Sequence, residues 1–126
     1  MLLTLLFLVF ASQAQSSSEV ITKVEEALKS SSSKEISKYL HERLEIKLNS
    51  EKKEYSANQA EIMLKQFFQT NPSDACEFIH QGNSSGDIVY AIGKYSSGNS
   101  NYRVVVRAKK YKEEFKVYRL EFTKDR

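Results

Sequence analysis

Glu114-Phe-Lys-Val-Tyr-Arg-Leu-Glu-Phe122 reads as a β-strand whose phase changes partway along. Phe115 and Val117 share one face, and the apolar positions then move to Tyr118, Leu120 and Phe122. Side chains alternate between the faces of a strand, so a one-residue change of phase predicts a β-bulge, and a bulged strand bends. Just upstream, Tyr102, Val104, Val106 and Ala108 alternate with Arg103, Val105, Arg107 and Lys109. That pattern gives one apolar face and one mostly basic face. Residues 88–95 are rich in β-branched and aromatic types, and residues 76–80 read as a further strand. Polar turns are expected at 83–87, 96–101 and 111–113.

The first half of the chain has a different period. Val20, Ile21, Val24, Ala27 and Leu28 recur at helical spacing and predict an amphipathic helix over 19–29. Four consecutive serines, Ser30 to Ser33, compete for backbone hydrogen bonds and break it. Residues 34–41 read as a second, short helix with Ile36, Tyr39 and Leu40 inward and His41 at its end. Leu44, Ile46 and Leu48 alternate with Glu45, Lys47 and Asn49 as a half-buried strand, and Tyr55 closes a second extended piece. Ser56 and Gln59 fit a capping box at the head of a third helix, whose stripe is Ala60, Met63, Leu64, Phe67 and Phe68. Asn71-Pro72 stops that helix, because the residue before proline is disfavoured in the α region. Helices first and meandering strands after predict an α+β fold, with N-terminal helices packed on a curved antiparallel sheet.

Met1 to Ala14 is an uncharged apolar run ending in small residues, with Ser12 and Ala14 spaced for cleavage before Gln15. It reads as a signal peptide, too short to span a bilayer as a helix, which takes about 20 residues. The expected product is secreted or periplasmic, with a disordered leader at 15–18 and one α+β domain over 19–126. No transmembrane segment is expected. Cys76 is the single cysteine, so an intramolecular disulfide is excluded and a cysteine-cluster zinc site is not expected. It reads as a small buried hydrophobe.

Net charge is +3, distributed unevenly. From residue 101 onward nine Lys/Arg face four Asp/Glu, which leaves the rest of the chain net acidic. The basic residues interleave with tyrosines, but an export signal argues against nucleic acid as partner.

The element order, and the strand Glu114-Phe-Lys-Val-Tyr-Arg-Leu-Glu-Phe122 in particular, resembles the cone-shaped nuclear-transport-factor-two-like (cystatin-like) superfamily. There a curved sheet wraps around the helices and leaves a pocket. More narrowly, the signal peptide, early helices and closing strand are similar to a family of small secreted Bacteroidetes-type proteins described only as a domain of unknown function. The resemblance implies a cone and supplies no catalytic residue, since no acidic motif of the superfamily's enzymes is matched.

Catalysis needs a nucleophile or base with a partner in reach. Cys76 and His80 share a face in a regular strand but stand about 13 Å apart at the usual rise, too far for thiolate activation. There is no His-x-x-x-His spacing, no Gly-rich phosphate loop and no G-x-S-x-G elbow, so no metal and no cofactor are expected. The candidate pocket residues are Tyr39, Phe67, Phe78, His80, Tyr90 and Tyr102, with tyrosine hydroxyls to orient a ligand. Arg103, Val105 and Arg107 on the outer sheet face are the candidate interface, for a protein partner or a homodimer. These features favour a non-enzymatic module binding a small ligand or a protein. The alternative is a small isomerase- or hydrolase-like enzyme using His80 or a pocket tyrosine.

Overall fold

A computed structural model describes residues 17–98 and 100–125. The expected signal peptide, its expected cleavage point and the first half of the expected leader lie outside the described residues. Ser17 and Ser18 belong to the first turn of helix α1 (Ser17–Lys29), which corrects the expected leader at those two positions. The elements that follow are α2 (Ser33–Ser37), β1 (Leu40–Leu48), β2 (Glu51–Ser56), α3 (Ala57–Thr70), β3 (Ala75–Ser85), β4 (Ile88–Ser97), β5 (Ser100–Tyr111) and β6 (Glu114–Lys124).

Helix α1 buries Val20, Ile21, Val24, Ala27 and Leu28, the stripe its sequence period defines. Helix α3 starts at the capping box: Ser56 Oγ accepts from Gln59 N–H, and Gln59 Oε1 accepts from Ser56 N–H, both at 3.1 Å. Helix α2 is shorter than the expected 34–41. Its cap is Ser32, and it ends at Ser37 because Tyr39 already belongs to the sheet's approach: Tyr39 C=O accepts from Val117 N–H at 2.7 Å. His41, expected at a helix end, therefore lies in β1. A five-residue helix has little stability of its own, and α2 is fixed by the fully buried Ile36.

The six strands form one sheet in the order β2-β1-β6-β5-β4-β3. Four pairings are antiparallel, but β1 and β6 run parallel. The sheet is mixed, not antiparallel as expected. The cause is topological: helix α3 and four strands separate β1 from β6, so β6 is free to enter alongside β1 in the same direction. As a result the last strand of the chain occupies an interior position, between β1 and β5.

Bulges in β6 and β3 bend the sheet. In β6, Val117 pairs Ala108 and Arg119 pairs Arg107, so Tyr118 is the extra residue, at the change of phase in the sequence. In β3, Phe78 pairs Gly93 and His80 pairs Ile92, so Ile79 is extra. Strand β3 is also longer than the expected 76–80 and takes in Asn83 to Ser85, leaving Gly86 and Asp87 as the turn. Gly93 shows how closely β3 lies. A Cβ there would stand 2.1 Å from Glu77 O and 2.8 Å from Phe78 Cα, so only glycine fits.

Candidate functional site

The inner face of the sheet carries Leu44, Ile46, Leu120, Phe122, Tyr102, Val104, Val106, Val89, Ala91, Tyr95, Cys76 and Phe78, all buried under α1 and α3. Where an open cone would have its pocket, aromatic rings meet. Phe67 from α3 lies 4.5 Å from Phe122, 5.4 Å from Tyr102 and 5.8 Å from both Phe68 and Tyr95, centroid to centroid. Such offset and edge contacts fill space tightly. The two tyrosine hydroxyls are used internally. Tyr95 O–H donates to Asn71 C=O at 2.5 Å, and Tyr102 O–H donates to Asn71 Oδ1 at 3.0 Å. Asn71 is the C-cap of α3, so these bonds tie the end of the helix to the sheet. Space remains at the mouth, in a cleft of about 300 Å³ lined by Leu48, Met63, Gln66, Phe67, Thr70 and Asn71.

Among the expected pocket residues, Phe67, Phe78 and Tyr102 are core side chains. Tyr39 packs against the edge of the core and borders a surface cleft with Glu26, Ser30 and Glu35. His80 and Tyr90 are elsewhere. The extra residue at Ile79 reverses the phase of β3, so His80 pairs with Ile92 on the outer face, away from Cys76 and Phe78. Tyr90 pairs with Gly82 and Arg107, and its ring covers the bare Gly82. The structure does not bring these six residues together. Cys76 is buried, and burial, reinforced by the nearby Glu25 carboxylate, pushes its thiol from 9.0 up to about 12. A thiol held protonated is a poor nucleophile. The His80 side chain has no hydrogen-bond partner among the described residues, and among them no three His, Cys, Asp or Glu gather to hold a metal.

The outer face has a different character. Arg103, Val105 and Arg107 all lie on it, as their alternation requires, with rows Ile92–Val105–Glu121 and Tyr90–Arg107–Arg119 running across the strands. Val105 is only 8% exposed although no helix covers it; neighbouring side chains on the sheet bury it. Ile79, raised by its bulge, is 51% exposed. A shallow cleft of about 180 Å³ lies here, lined by Ile79, His80, Ile92, Gly93, Lys94, Arg103 and Asp125. On the β6–β1 half, two cations share one carboxylate: Arg119 Nε stands 3.2 Å from Glu45 Oε1, and Lys52 Nζ 3.9 Å from the same oxygen. On the β4–β5 half, Lys94, Arg103 and Arg107 have no carboxylate within ion-pair distance among the described residues. Sequence reading found Arg103 and Arg107 through their alternation. It missed Ile79, because it took β3 as a short regular strand, and it did not single out Ile92 and Lys94 of β4. It also missed Asn71 as the polar anchor of the cone, for which Asn-Pro gave only a stop signal.

A helix layer on one face of a long bent sheet, with a cone-shaped interior, is the architecture of nuclear-transport-factor-two-like proteins. A solved protein of that kind from Cytophaga hutchinsonii, itself of unknown function, superimposes with a TM-score of 0.63 at 12% identity, over 87% of this chain and 90% of that one. The chain belongs to the DUF4783 family, a domain of unknown function, whose model matches residues 21–123. A DUF4783 protein from Bacteroides uniformis is similar at a TM-score of 0.80 and 22% identity, covering 83% of this chain and 96% of that one. Another, from Bacteroides ovatus, is similar at 0.79 and 24%, covering 82% and 94%. No curated protein matches the sequence.

Proposed function

We propose that this chain is an exported, non-enzymatic docking module that holds an acidic segment of another protein against the outer face of its sheet. The observation that carries the reading is the set of three cations without an ion pair among the described residues, Lys94, Arg103 and Arg107, around the apolar Ile92 and Val105. Cations left unmatched beside apolar surface favour a partner that brings both carboxylates and apolar side chains. The aromatic filling of the cone supports a surface role over a ligand held inside. Export is supported by the Met1–Ala14 run.

The test uses a Glu- and Leu-rich peptide as probe. Binding should be lost in Arg103→Glu/Arg107→Glu, and should fall steeply as salt rises to about 0.5 M, where exposed charges are screened within a few ångströms. Binding that survives charge reversal would overturn the reading. Native mass spectrometry of protein recovered from a periplasm adds a second check. We expect a chain beginning at Gln15 with no retained small molecule. A ligand that stays bound until activation would return the cone to consideration, and an intact Met1 would remove export.

A further inference from the structure

We propose that two copies of this chain pair through the free edges of β3, antiparallel about Gly82, and so join their sheets. The edges of the sheet are unequal. Strand β2, at one end, is six residues long, and four of them are charged (Glu51, Lys52, Lys53, Glu54). Short charged edges resist pairing with another chain. Strand β3, at the other end, is eleven residues long, and from Phe78 to Ser85 it contains no Lys, Arg, Asp or Glu.

Part of the β3 edge is already closed. Helix α1 supplies Glu25, whose Oε2 accepts from Phe78 N–H at 2.7 Å. Phe78 N–H therefore points away from β4, toward the open edge. N–H and C=O groups alternate in direction along an antiparallel strand, and the extra residue at Ile79 shifts the alternation by one. The shift turns the backbone groups of Gln81 and Asn83 to the open edge. Neither has a backbone bond outside the sheet ladder among the described residues.

A two-fold axis at Gly82 sets Gln81 of each copy opposite Asn83 of the other. Each such pair exchanges two backbone hydrogen bonds, and the two side-chain amides on the same face are complementary donor and acceptor. The contact is self-complementary, as a two-fold interface must be. The register shifts at Ile79 and between Asn83 and Ser85 bracket the regular stretch, so pairing stops after a few residues and closes as a dimer. This edge is distinct from the outer-face site, and the pairing does not rest on the function proposed there.

Sedimentation analysis of the chain across a concentration range tests the idea. The expected result is a weight-average mass that rises to twice the monomer value. Gln81→Lys/Asn83→Lys sets lysine against lysine across the axis and should halve that mass. Gln81→Lys/Asn83→Glu sets lysine against glutamate and should restore it. Both positions are exposed, and circular dichroism reports whether each variant keeps its fold. A wild-type chain that stays monomeric overturns the proposal. So does a lysine pair that leaves the dimer intact, or a dimer lost in Arg103→Glu/Arg107→Glu while the lysine pair has no effect.

Discussion

Gly93 and Cys76 show how single positions carry the inner face. Because backbone atoms of Glu77 and Phe78 occupy the place of a Cβ at Gly93, no rotamer change can relieve Gly93→Ala. We expect it to lower stability by about 3 kcal/mol, the upper range for overpacking. Gly86→Ala, where a Cβ meets nothing within 4 Å, should be near neutral in the same urea titration. Cys76 gives a pH dependence of definite sign. Its pKa is raised in the fold, to about 12, so its contribution is complete below pH 9 and is lost as pH rises toward 12, where the unfolded chain ionises first. Burial raises Tyr95 too, which adds in the same direction. Stability measured between pH 7 and 11 should therefore fall less steeply in Cys76→Ala than in wild type. Equal slopes would show that the thiol is not responsible.

Elements were legible where their signal is local. The capping box of α3 lies within four residues of sequence and forms as its residue types require. Ser56→Ala removes the acceptor for Gln59 N–H and should cost about 1 kcal/mol, read as a lower melting temperature with an unchanged fold. The β6 bulge was legible because apolar residues change phase around Tyr118. The β3 bulge was not. Phe78-Ile-His-Gln81 keeps no apolar alternation past Ile79, and the strand lies on an edge where one face has little to bury. That single misreading placed His80 inside the cone. The early end of α2 was equally hidden, since a bond from Val117, 78 residues beyond Tyr39, draws the chain into the sheet.

At the scale of the molecule, element order was enough for the class of fold, and strand alternation was enough to put Arg103 and Arg107 outside. Neither revealed that β1 and β6 run parallel, because register between distant strands is written in packing and not in local pattern. Strand β6 holds the halves of the sheet together. Without it, β2-β1 and β5-β4-β3 have no shared ladder. A chain ending at Tyr111 should show no cooperative unfolding transition by circular dichroism, although more than three quarters of its residues remain.

The interior place of β6 also sets a clock. Of the six strands β6 is the last to be made, so until it is synthesised the sheet has a gap where its seam belongs. Until β6 arrives, a nascent chain of this design holds two part-sheets with no ladder between them.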